Sequence, residues 1–81
     1  MTKTGLEVDF IVRKGEEIIP IEVKLAAEPD KVERGLRGFI DVYKPKLAVV
    51  VFHEGKYGEI RINGCKVVFT DIPGMIDLLK K

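Results

Sequence analysis

The chain has 81 residues, of which 46% are hydrophobic and 33% charged, with a formal net charge of +1; this is the make-up of one small globular domain, residues 1–81, near the lower size limit for a self-sufficient core. Such a balance excludes bulk electrostatic attraction to nucleic acid and leaves only a local basic patch for that contact, while the longest apolar run, Leu47 to Phe52, is far too short to cross a bilayer. A single cysteine, Cys65, excludes an internal disulfide and suits a reducing cytoplasm.

The first elements are Leu6 to Val12 and Ile18 to Leu25, both alternating with period two. That pattern predicts two strands with one oily and one wetter face, joined by a tight turn in which Lys14 and Gly15 are the central residues. In this register Val12 faces Glu17, Phe10 faces Ile19 and Val8 faces Ile21. Val8, Phe10, Val12, Ile19, Ile21 and Val23 then share the oily face, and Glu7, Asp9, Glu22 and Lys24 the other. Glu7 stands directly across from Glu22 with Asp9 as its diagonal neighbour, at a β-carbon spacing of roughly 5 to 8 Å. Carboxylates that close repel one another unless a cation lies between them, so the group is either a divalent-metal site or a solvated patch laced with ion pairs. Oxygen ligands favour a hard ion, Mg²⁺ or Mn²⁺. Lys24, on the same face, is placed to orient an attacking water or to neutralise charge on a phosphodiester.

Next comes a helix start, with Asp30 as cap and Glu33 completing a capping box. Val32, Leu36, Phe39, Ile40 and Tyr43 recur at helical spacing, so this helix is expected to lie on the oily side of the hairpin, and Lys44-Pro45 ends it. Lys31, Arg34, Arg37 and Lys44 fall on its outer side, where they read either as phosphate contacts or, with Glu33 and Asp41 interleaved, as a solvated face. Leu47 to Phe52 is apolar at every position, which predicts a central strand covered on both faces and parallel to a neighbour. His53 after it reads as a surface residue. Glu59 to Ile62 and Cys65 to Phe69 form a second hairpin around Asn63-Gly64, a type I′ turn signal. Asp71 is a helix cap with Pro73 in the first turn, and Met75, Ile76, Leu78 and Leu79 give a short amphipathic helix.

The sum is an α/β fold: a mixed five-stranded sheet, one long crossover helix and a short C-terminal helix. The long helix covers one side, leaving the other to the charged site and the C-terminal helix. A homodimer or a partner domain would keep the central strand dry. The chain has no Ser, no Gln and one Asn, the direction taken by thermophile proteins.

Val8-Asp9 followed by Glu22-Val-Lys24 resembles the signature of the PD-(D/E)XK, or restriction-endonuclease-like, nuclease superfamily. More narrowly, the stretch from about Gly5 to Phe52 is similar to the nuclease-like C-terminal domain of archaeal and bacterial AAA-type ATPases, and to archaeal Holliday-junction resolvases. The resemblance implies a minimal restriction-endonuclease-like core and a DNA endonuclease acting on duplex or branched DNA, with an ATPase domain as a possible neighbour. It implies that Asp9 and Glu22 bind Mg²⁺ or Mn²⁺, joined by the main-chain carbonyl of Val23, and that Lys24 assists the water. Val8 stands where the superfamily has Pro. The acidic helix that usually precedes the first strand has no counterpart in Met1 to Gly5, and Glu7, sharing the face, is expected to stand in for it in part. A non-catalytic DNA-binding, dimerisation or ATPase-docking module is the alternative that this resemblance leaves open.

Overall fold

The computed structural model describes residues 8–27, 32 and 34–80. The elements are β1 (Phe10–Lys14), β2 (Glu17–Ala27), α1 (Arg34–Tyr43), β3 (Leu47–Gly55), β4 (Gly58–Ile62), β5 (Cys65–Thr70) and α2 (Ile72–Lys80). They form a mixed α/β fold around one five-stranded sheet of order β1-β2-β3-β5-β4. β3 lies at its centre, parallel to β2 and to β5, as its unbroken apolar run predicts.

The first hairpin differs from expectation by two residues: Lys14 faces Glu17, Val12 faces Ile19 and Phe10 faces Ile21, so the turn residues are Gly15 and Glu16. Gly15 has φ +65° and Glu16 does not share the positive φ. A type II′ turn puts its glycine first, and that requirement outweighs the placement with glycine second. Because the slip is even, side chains within the paired strands keep their predicted faces; Val8, expected on the oily face with Val12, precedes β1 and packs instead on the α1-side core, because the strand alternation that would set its face has not yet begun. The second hairpin follows its Asn-Gly signal: Asn63 has φ 51° and Gly64 φ 83°, the two left-handed residues of a type I′ turn, and Ile62 pairs with Cys65.

The helices sit on opposite faces, and here the structure corrects the expected layering. Leu36 and Ile40 of α1 pack with Ala48, Val50, Phe52, Cys65, Val67 and Phe69. In the parallel register Glu22 pairs with Val50 and Lys24 with Phe52, so α1 covers the face that carries the charges. Met75, Leu78 and Leu79 of α2 instead cover Ile19, Ile21, Val49 and Val51, with Val12 beside them. The oily side of the hairpin therefore belongs to the short helix, because Leu36 and Ile40 reach the longer apolar rows of β3 and β5.

Both helix ends that can be inspected have a local cause. Lys44, with φ 51°, donates its N–H to the Ile40 carbonyl at 2.9 Å, closing α1 in the left-handed form just before Pro45. Asp71 Oδ1 accepts the Gly74 N–H at 3.0 Å, the expected cap of α2. The cap positions Asp30 and Glu33 lie outside the described residues.

Candidate active site

Asp9 and Glu22 come together, near enough for their charges to interact. Asp9 lies in the bend just before β1. Glu7, expected directly across from Glu22, lies outside the described residues. β1 begins only at Phe10, and at the next step the side chain takes over from the main chain: the Val23 N–H donates to Asp9 Oδ2 at 2.8 Å. Along an extended strand the N–H and C=O of one residue leave by the same edge, so the Val23 carbonyl points to the side where Asp9 lies.

Glu22 is the most perturbed of these groups. Its side chain is only 12% exposed, and Lys24 Nζ sits 3.4 Å from Glu22 Oε2. Burial pushes the Glu22 carboxyl above its ordinary range; Lys24 pulls it back through charge and a hydrogen bond, and the neighbouring Asp9 charge raises it further. The net rise is chiefly the cost of holding a charged carboxylate away from water. A half-hidden carboxylate with a second carboxylate beside it is an arrangement that a cation would stabilise, and perturbed groups gather at functional sites.

The donor set suits a magnesium-like ion, which takes one or two carboxylates and fills its octahedron with water and substrate oxygens. Among the described residues there is no group of three His, Cys, Asp or Glu side chains that could hold a metal, so the oxygens of Asp9, Glu22 and Val23 are what this part of the chain can offer. A cleft of about 240 Å³ at the C-terminal ends of β2 and β3 includes Lys24 in its lining, but Val51 and the start of α2 set it on the α2 side of the sheet, the face opposite Glu22. Its other walls are largely apolar, from Val23, Leu25, Val51, Ile72 and Pro73, with His53 and Asp71 at the rim.

Arg34 and Arg37 are exposed on α1 and Lys44 follows at its end; Arg37 Nε donates to the Val32 carbonyl at 3.2 Å. Since α1 lies on the charged face of the sheet, these cations are on the same side as Asp9, Glu22 and Lys24. The layering expected from the sequence has them on opposite sides. Lys31 lies outside the described residues. His53 is exposed and Cys65 fully buried, with burial raising the Cys65 thiol, in keeping with a surface histidine and a small packing cysteine.

One pair was not foreseen. The Tyr57 hydroxyl donates to Asp71 Oδ2, and the Tyr57 ring meets Phe52 edge-on with centroids 5.2 Å apart. That hydrogen bond raises the Tyr57 phenol and, with the Gly74 N–H, holds Asp71 below the usual carboxylate range. Asp71 was legible as a cap; its second partner comes from a loop fixed only by the tertiary fold.

No curated protein and no solved structure matches the chain. Among the described residues no helix is long and apolar enough to cross a membrane. A family described as a domain of unknown function, DUF4143, matches residues 1–70. The chain thus belongs to the DUF4143 family.

Proposed function

We propose that this domain is a metal-dependent nuclease of the restriction-endonuclease-like kind, hydrolysing phosphodiester bonds of duplex or branched DNA. The observation that carries the reading is Glu22: a carboxylate largely withdrawn from water, within reach of the Asp9 charge and held 3.4 Å from a lysine. A charge so placed on a purely structural strand costs stability without return.

Asp9 and Glu22, with the Val23 carbonyl, would hold Mg²⁺ or Mn²⁺. When bound, such an ion supplies Lewis-acid polarisation of the phosphodiester and a water more easily deprotonated. The Val23 N–H donates to Asp9 Oδ2 and so restrains the carboxylate, leaving Oδ1 as its other oxygen for an ion. Lys24 bridges between Glu22 and the region a substrate phosphate would enter, where its ammonium orients the attacking water and offsets developing negative charge. Arg34, Arg37 and Lys44, on the same side, would contact the phosphate backbone and set its direction.

Two measurements test this. Calorimetric titration with MnCl₂ should give a saturable site in the wild-type chain that Asp9→Ala removes. Nicking of plasmid or branched duplex should require Mg²⁺ or Mn²⁺ and vanish in Lys24→Ala. Unchanged manganese binding in Asp9→Ala, or equal nicking in Lys24→Ala, would reject the assigned roles.

A second reading, a non-catalytic module that binds DNA, dimerises or docks on an ATPase domain, draws on one observation: the described residues hold no third acidic side chain at the site. It predicts at most weak manganese binding, indifferent to Asp9→Ala, and no cleavage.

A further inference from the structure

The two edges of the sheet are built differently. On β4, Glu59 and Arg61 are exposed, Glu59 pairs with Lys66 at 3.7 Å, and Ile60 and Ile62 pack inward on the α1-side core. Alternating charge of that sort discourages edge-to-edge pairing. β1 shows the reverse: Phe10 is 61% and Ile11 52% exposed, one on each face of the sheet, and the strand contains neither Pro nor Gly. An exposed apolar edge is a template for another strand.

The hydrogen-bonding phase of β1 identifies which strand. The two-residue turn makes Lys14 and Glu17 a hydrogen-bonded pair, and alternation makes Val12–Ile19 and Phe10–Ile21 bonded pairs too. Ile11 lies opposite Pro20, which has no N–H to exchange, so that pair is of the unbonded kind. The N–H and C=O of Ile11, and of Arg13 by the same alternation, therefore point away from β2, to an edge that no other strand among the described residues covers.

We propose that β1 pairs antiparallel with β1 of a second copy of this chain, on a two-fold axis through Ile11, joining two sheets into one. In that register Ile11 exchanges both main-chain hydrogen bonds with Ile11 of the second copy, and Phe10 lies across from its Val12, twice. Asp9, in the bend just before β1, comes to the end of the ladder near Arg13 of the second copy, again twice, so opposite charges flank the apolar centre. Each property needed of an isologous contact is present in these five residues: outward main-chain groups in phase, apolar side chains on both faces, and complementary charge. The second copy also brings Arg13 beside the Asp9 and Glu22 carboxylates. The pairing stands whether or not the site cleaves DNA.

Sedimentation velocity over a concentration series tests it. The wild-type chain should be dimeric, and Ile11→Lys, which sets two ammonium groups face to face on the axis, should raise the dissociation constant by about tenfold or more, with an unchanged circular-dichroism spectrum as the check on folding. A gentler variant, Ile11→Cys, should form a disulfide-linked dimer on mild oxidation, since bonded antiparallel pairs hold their α-carbons at about 5.5 Å, within disulfide range; Glu59→Cys on β4 should not, and native Cys65 is buried. A wild-type chain that stays monomeric throughout, a dimer indifferent to Ile11→Lys, or cross-linking through Glu59→Cys instead of Ile11→Cys overturns the proposal.

Discussion

The two hairpins of this sheet obey opposite rules. In β4–β5 the inward positions Ile60, Ile62, Cys65, Val67 and Phe69 serve the core, while Glu59 and Arg61 face water. In β1–β2 a glutamate and a lysine lie on the covered face while Phe10, Ile11, Val23 and Leu25 are exposed. A hairpin selected for stability alone would resemble the first. The second spends stability on a charged pair and leaves apolar surface open, which is the signature of a region whose side chains answer to something other than the fold.

The sharpest way to break this comparison is to truncate one large side chain in each hairpin. Phe69, 1% exposed at the heart of the α1-side core, should cost about 3 to 5 kcal/mol on replacement by alanine. Leu25→Ala, at a side chain 83% exposed, should stay within about 0.5 kcal/mol. Urea denaturation of both variants reads the difference directly, and similar losses would erase the distinction.

The turns should be more alike than the strands. Gly15 and Gly64 both hold a left-handed φ with open space around the position of a β-carbon, so alanine at either should cost about 1 to 2 kcal/mol through backbone strain alone. Thermal melts of Gly15→Ala and Gly64→Ala falling by comparable amounts would locate the contrast between hairpins in their strands.

The smallest effect concerns Glu22 and has a definite sign. Burial raises its folded-state pKa above the ordinary 4.5, so the folded chain favours the protonated form; the associated stability is complete below that value and is lost as pH rises through the raised one. Glu22→Gln should therefore melt slightly higher than wild type at pH 7, with the gap closing towards pH 4. A variant that is less stable at neutral pH would mean that the Lys24 ion pair outweighs desolvation.

Local chemistry made much of this legible. Asn63-Gly64 specifies its turn because both residues tolerate positive φ, and Asp71 caps α2 as its spacing before Pro73 foretells. The apolar run from Leu47 marks the central parallel strand. The faces of β2 were also legible, so Glu22 and Lys24 share a side as expected, whereas Val8, just ahead of β1, takes the face opposite to the expected one. The register of the first hairpin was not: Lys14-Gly15 and Gly15-Glu16 preserve the same alternation, and only the φ demanded at the first turn position separates them.

Alternation and turn chemistry in the sequence by themselves determined the five strands, the two helices and the set of side chains on each face, since these depend on residues a few positions apart. Tertiary structure alone decided which helix covers which face. That choice depends on how the apolar rows of β3 and β5 add up across the sheet, a sum over strands distant in sequence; by settling α1 on the charged face, it put Arg34 and Arg37 on the same side as the paired carboxylates.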